Sequence, residues 1–291
     1  MTNLRDLVAE ELKLPVDPRV SAVAAAIAAK HGDASRAVLF YGSCLREKQL
    51  DGLMLDFYLI VSDYRAAYDK RWLALANRLI PPNVFYFEHD GLAAKYAVLS
   101  EADFVHECSP AAWTVSTAAR FAQPSRLLWS ADKAAAERMI GIVAEAVPTL
   151  LGWTLPLVDR RDVPALWKRA FKQTFSAELR AERLQRSAAI VDNDPDRYER
   201  LGAAALVELQ PIRSRRKALR WWRRKQRHGK RYSVVRLAKA SLTFAGGAEY
   251  LAWKINRHAG TEIALKPWQR RHPLLAGISL LPRLLKSGAV R

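Results

Sequence analysis

The chain has 291 residues, is 50% hydrophobic and 26% charged, and carries a formal net charge of +18. That length and composition support a substantial buried core and exclude a disordered or fibrous chain. Two cysteines, Cys44 and Cys108, exclude a disulfide framework and lack metal-ligand spacing, so a reducing compartment is expected.

The opening MTNLRDLVAEELKL carries acids where a signal peptide needs an apolar core. No run approaches the roughly 18 uncharged apolar residues that a membrane span needs. The charge is divided unevenly. Residues 1–150 hold 16 Lys+Arg against 18 Asp+Glu, a net of −2, whereas residues 151–291 hold 31 against 11, a net of +20. The second half is suited to an anionic surface, either nucleic acid or an acidic membrane.

In chain order, a helix over 3–14 ends before Pro15, and Pro18 starts an Ala-rich helix that Gly32 stops. Ala37–Tyr41 reads as a buried strand, Gly42-Ser43 as a turn, and Leu53–Val61 as a second strand with Asp56 inside it. Tyr64–Ile80 has helical apolar spacing and is cut by Pro81-Pro82. Asn83–Glu88 reads as a third strand and Lys95–Ser100 as a short extended segment. Trp113–Ala122 reads as a helix carrying Arg120, broken by Pro124 before the strand-like SRLLW. A helix over 131–146 closes an α/β or α+β sheet domain near residue 150.

Leu151–Pro164 reads as a linker, Leu166–Ile190 as a long helix, and DNDPD at 192–196 as a solvated turn lacking the Gly and distal Glu of a calcium loop. A further helix covers 196–209. Residues 211–231 then hold 11 Lys/Arg, no acid and the pair Trp221-Trp222. Three readings fit this stretch: a solvated basic helix face, a membrane-surface segment with Trp at headgroup level, or an RNA-binding strip with stacking aromatics. An apolar helix around 234–253 follows. The closing segment Pro273–Leu285 is apolar but for Ser279 and Arg283, which suits an interfacial helix or a docked core segment. The expected domains are 1–150, 151–210 and a basic amphipathic region over 211–291.

The stretch with chemistry is 37–61. A carboxylate inside a buried strand is costly unless a cation or a partner compensates it, and a Gly-Ser turn straight after a strand suits backbone N–H groups that cradle phosphates. The plainer reading is a hairpin with one tolerated Asp. Strand, Gly-Ser loop and acid-bearing strand together resemble the outline of the nucleotidyltransferase superfamily. That pattern has a second acid two residues away, where this chain has Met54 and Tyr58, so Asp51, Asp63 or Glu88 would have to supply it. The six histidines show no metal-ligand spacing.

Over roughly residues 36–185 the chain also resembles the mitochondrial-type CDP-diacylglycerol synthases, the phosphatidate cytidylyltransferases of the translocator-maintenance family, and their bacterial relatives. The resemblance rests on Gly42-Ser43, on Leu55-Asp56-Phe57, on Lys95-Tyr96-Ala97-Val98-Leu99-Ser100, on Arg120-Phe121-Ala122-Gln123-Pro124, and on Ser176-Ala177-Glu178-Leu179-Arg180. Ala97 and Ala177 stand where the family has Gly, and Glu178 where it has Asp. The resemblance implies a nucleotidyltransferase-like mixed sheet flanked by helices, followed by a mainly helical second part. It implies transfer of CMP from CTP to phosphatidic acid with Mg2+, or Mn2+ or Co2+, on an anionic membrane surface, in a cytoplasmic protein peripheral to the inner membrane. Under it Asp56 is a metal ligand, Asp51 and Glu88 compete as the second acid, and Gly42 and Ser43 hold the triphosphate. Lys95 and Arg120 serve the phosphates, with Arg180 as a further candidate. Two rival classes remain: an RNA nucleotidyltransferase, although nucleic acid is not the expected partner, and an inactive membrane- or protein-binding member.

Overall fold

The computed structural model describes residues 3–46, 50, 52–158, 162–178, 186–211 and 213–243. Five strands form one mixed sheet: β1 (Ser35–Tyr41), β2 (Met54–Val61), β3 (Asn83–His89), β4 (Leu92–Ser100) and β5 (Ser125–Ser130), in the order β3-β4-β2-β1-β5. Only the β2–β4 pair is parallel. Eleven helices surround the sheet among the described residues. They are α1 (Leu4–Leu12), α2 (Pro18–Lys30), α3 (Tyr64–Ala67), α4 (Arg71–Leu79), α5 (Glu101–Glu107), α6 (Ser116–Phe121), α7 (Lys133–Thr154), α8 (Val163–Phe175), α9 (Arg186–Asp192), α10 (Pro195–Leu206) and α11 (Arg215–Thr243). The α/β architecture expected from the alternation of strands and helices is the one observed.

The period-2 alternation of strand side chains divides the core in two. On one face Val38, Phe40, Leu55, Phe57, Leu59, Ala94, Tyr96 and Val98 pack against α2, α3 and α4. On the other, Ala37, Leu39, Tyr58, Ile60, Ala97 and Leu99 pack against helices from both halves of the chain, down to Trp222 of α11. β2 is central and covered on both faces, which is why MLDFYLIV reads as a nearly continuous apolar run.

Several boundaries differ from the sequence reading, three of them with a clear physical reason. The helix expected over 64–80 is two helices, because Tyr68 is extended and its ring packs against His31 and Phe85. The helix expected to end at residue 146 runs through Pro148 to Thr154, so part of the expected linker is helix. An internal proline costs about 3 kcal/mol. Burial of Val147, Leu150, Leu151 and Trp153 offsets it, at about 1.5–3 kcal/mol for each large apolar side chain. The long helix expected over 166–190 ends at Phe175, and Ser176 caps it. The described sequence also contains α5, a short helix the apolar spacing did not signal, capped by the Ser100 hydroxyl on the Asp103 N–H.

Much of the acidic inventory is structural. Asp17, Asp63, Asp132, Asp162 and Asp194 each cap a helix N-terminus with a side-chain oxygen. Asp63, a candidate second acid, is therefore engaged with the Arg65 N–H at 2.7 Å. In the DNDPD turn, Asp194 caps α10 and Asp192 pairs with Lys168 at 2.6 Å. Among the described residues one helical stretch, Lys133–Leu157, is long and apolar enough by composition to cross a membrane, and 72% of its apolar window is buried inside the protein.

Candidate active site

The strand registers place five side chains in one lateral row on the sheet face that carries Leu39, Tyr58 and Ala97. Tyr86 is opposite Lys95, Lys95 opposite Asp56, Asp56 opposite Tyr41, and Tyr41 opposite Ser125. The row therefore crosses all five strands. Its centre is an ion pair, Lys95 Nζ to Asp56 Oδ1 at 2.9 Å, with the two side chains 26% and 20% exposed. A pair of that exposure is reachable by a ligand and only partly screened by water.

The β1–β2 turn closes on this pair. Gly42 has φ +97°, a conformation that costs other residues about 1–2 kcal/mol. A Cβ placed there would lie 3.1 Å from Asp56 Oδ2. Glycine thus suits both the left-handed turn and the close approach of backbone to the carboxylate, which a side chain at this position would crowd. Gly42 and Ser43 are exposed, and Ser43 begins a short 3-10 turn, Ser43–Arg46. Cys44 points inward, with its thiol 3.5 Å from the Met54 carbonyl, so it ties the turn to the start of β2.

Arg120 reaches the row from α6. Its Nη1 donates to the Tyr58 hydroxyl at 2.8 Å, and its guanidinium lies over the Tyr41 and Tyr58 rings, 5.4 and 5.8 Å from their centroids. Burial opposes its charge, but the oxygens of Tyr58 and Tyr41 and the carboxylates of Glu178 and Asp56 outweigh it, so Arg120 is held firmly protonated. Glu178, just beyond α8, thereby joins the electrostatic surroundings of the row.

The sequence-derived candidates fall into three groups. Gly42, Ser43, Asp56, Lys95 and Arg120 come together. Glu88 does not reach Asp56: it is exposed on edge strand β3, two strands away, and accepts from the Tyr86 hydroxyl at 2.9 Å. Asp51 and Arg180 lie outside the described residues, as does the closing segment 273–285. Two residues were missed, Tyr41 and Tyr58. Both were legible in principle, since positions two apart along a strand share a face and Tyr58 is two residues from Asp56.

Among the described residues no group of three His, Cys, Asp or Glu is placed to hold a metal ion. Of the described acids expected as metal ligands, Asp56 is the one that lies in the row, paired with Lys95; a Mg2+ carried mainly by phosphate oxygens would need one or two such carboxylates.

The basic stretch takes a different form from its aromatic readings. Trp222 is buried and donates Nε1–H to the Trp153 carbonyl at 3.0 Å, and Trp221 packs on Trp153 beneath Arg213 and Lys225. The Trp222 ring is withdrawn from lipid headgroups and bases, and the Trp221 ring is only partly exposed. The cations Arg215, Arg216, Lys217, Arg220, Arg223, Arg224, Arg227, Lys230 and Arg231 are all exposed on α11. Three of them line, with Ser176 and Gln226, a cleft of about 480 Å³ between α11 and the end of α8. The helix is seated closely there, for a Cβ at Gly229 would fall 2.3 Å from the Ala177 carbonyl oxygen.

No family model matches the chain, and no curated protein matches it. A solved structure that aligns with it is described as a nucleotidyltransferase-like protein from Exiguobacterium sibiricum, with 9% identity, 92% of each chain covered and a TM-score of 0.27. Agreement at that level decides neither substrate nor chemistry, and leaves both to the residues of this chain.

Proposed function

We propose that the chain is a nucleotidyltransferase that joins a nucleoside monophosphate to a phosphate acceptor, and that the pair is CTP and phosphatidic acid on an anionic membrane surface. The observation that carries this reading is the seat of Gly42 on Asp56, flanked by the cations of Lys95 and Arg120. An acceptor phosphate is already an anion and needs no general base. What it needs is relief of repulsion from the triphosphate and alignment opposite the leaving group. Its oxygen attacks the α-phosphorus, the bond to the β-phosphate oxygen breaks, and pyrophosphate leaves.

Each residue has a part in that step. The Gly42-Ser43 turn lets backbone approach the phosphates. Lys95 exchanges its carboxylate partner for phosphate oxygens, which frees Asp56. Arg120, held by Tyr58 and stacked over Tyr41, presents fixed N–H donors to the developing charge. A Mg2+ bound with the triphosphate would supply further charge neutralisation, with Asp56 as its protein ligand. The basic cleft on α11 suits the acceptor's phosphate, and the surplus of cations in the second half suits an anionic bilayer. The setting this reading implies is the cytoplasmic face of the inner membrane.

The test is pyrophosphate release from CTP, Mg2+ and phosphatidic acid in mixed micelles, beside Asp56→Ala. Release that requires the lipid, is absent with ATP and is lost in the variant supports the reading. No release with Mg2+ or Mn2+ sinks it. A second reading draws on the closed Asp56–Lys95 pair and on the want, among the described residues, of three acid, His or Cys groups placed around one metal position: an anion-binding protein without turnover. Metal-independent nucleotide binding with no pyrophosphate would favour that one.

A further inference from the structure

The helix α4 shows an apolar face that nothing described covers. Trp72, Leu75 and Leu79 are 47%, 58% and 67% exposed. Their spacing, i, i+3 and i+7, puts them on one side of the helix, opposite the buried Ala74 and Asn77 that face the sheet. Three large apolar side chains grouped on nine residues exceed the scattered exposure that is ordinary for a protein surface. Lys70, Arg71 and Arg78 flank the stripe and are exposed, with Asp69 as the single acid beside them.

The neighbouring surface continues this character. Arg236 of α11 donates to the Pro81 carbonyl at 2.8 Å, and Lys239 to the Pro82 carbonyl at 2.7 Å, just past the end of α4. The same part of α11 exposes Val234 and Val235 beside Arg231.

We propose that this face of α4 is a membrane-inserting surface, whose partner is an anionic lipid bilayer. Tryptophan and leucine enter the headgroup–acyl boundary while Lys70, Arg71 and Arg78 stay level with the lipid phosphates. Charge decides between the possible occupants. The chain's own remaining segment, 244–291, carries eight Lys/Arg against two acids and would be repelled by the basic flanks, as would a second copy of a chain with net charge +18. An anionic bilayer meets both the apolar stripe and the cations. This deepens the membrane part of the proposed function and rests on it, but its test reads lipid binding and not turnover, so the two fail separately.

The experiment is co-sedimentation of the full chain with phosphatidylcholine–phosphatidylglycerol vesicles, comparing wild type with the combined Trp72→Ser, Leu75→Ser, Leu79→Ser variant. All three sites are exposed, so the variant should melt like the wild type. Partition should fall by about ten- to hundredfold, the scale set by apolar area leaving water. A second readout needs no loss of function: an environment-sensitive dye on Leu75→Cys should shift to the blue when vesicles are added. Labelling is directed to that site because Cys44 and Cys108 are buried. Unchanged partition, or a dye that does not shift, would overturn the proposal. A dye already blue-shifted without lipid, and released by removing 244–291, would assign the face to the chain's own segment. Loss of a dimer in the triple serine variant, with vesicle binding intact, would assign it to a second copy.

Discussion

Two carboxylate–cation pairs meet the same face of the sheet and differ in what surrounds them. Asp56 and Lys95 come from adjacent parallel strands and stay within reach of solvent, beside an exposed turn. Glu11 and Arg197 come from α1 and α10, 186 residues apart, with side chains only 16% and 7% exposed. Arg197 donates to both Glu11 oxygens and to the Ala122 carbonyl, and Glu11 also accepts from the Ser125 N–H at the end of the lateral row. Burial opposes the charge on Arg197, and Glu11 more than compensates. The inner pair is saturated by neighbours and holds three elements in place, among them the turn that follows Arg120. The outer pair stays partly exposed, at 26% for Lys95 and 20% for Asp56. A saturated pair serves stability, while an accessible one can exchange its partner for a ligand.

That contrast can be broken at its inner end first. Arg197→Ala strands the Glu11 carboxylate in the core and should cost about 3–5 kcal/mol, read as a large fall in the urea midpoint. Activity would follow stability. At the outer end the reverse is expected. Asp56→Ala should lower pyrophosphate release by about 10²–10³-fold while thermal stability changes little, because a partly exposed pair contributes about 0–1 kcal/mol. Comparable losses of stability in both variants would erase the distinction.

Arg120→Lys sharpens the comparison further. It keeps the charge but loses the planar fork between Tyr58 and Tyr41, and should reduce turnover about tenfold or more with folding retained. Gly42→Ala should be milder in stability, about 1–2 kcal/mol from the left-handed backbone, with a weaker apparent affinity for nucleotide because the methyl group crowds Asp56. The smallest effect is a pH dependence on the opposite sheet face. His31 Nδ1 is 2.9 Å from the Ala67 carbonyl and must donate to it, which leaves Nε2 to accept from the Tyr96 hydroxyl. Burial first, then Lys30, push its pKa below the usual 6.5. The unfolded chain thus takes up a proton that the folded one refuses. The His31 contribution is complete above pH 6.5 and is lost as pH falls below it. His31→Gln should flatten that part of the stability curve.

Local rules account for a good share of what was legible. The apolar runs of β1 and β2, the prolines that limit helices, and the alternation that groups Asp56 with its face neighbours all follow from short-range sterics and burial. Gly42, Ser43 and Asp56 could be singled out because one turn and two adjacent strands bring them together. Lys95 and Arg120 entered through resemblance, and only β2–β4 pairing and the docking of α6 make them neighbours of Asp56. Trp221-Trp222 shows the limit from the other side, since a pair that reads as a headgroup or stacking motif becomes core once Trp153 is placed against it.

The sequence alone determined the α/β class, the turn that follows β1, the acid in β2 and the excess of cations in the second half. These depend on residue type and spacing within a few positions, where steric and burial effects act without knowledge of the rest of the chain. Tertiary structure decided which charges meet. It decided that Lys95 closes on Asp56, that Glu88 stands two strands away, and that Arg197 seals Glu11. It also decided that α4 turns Trp72, Leu75 and Leu79 outward. Strand order and helix docking set those outcomes, and they are fixed by contacts between residues tens to hundreds of positions apart.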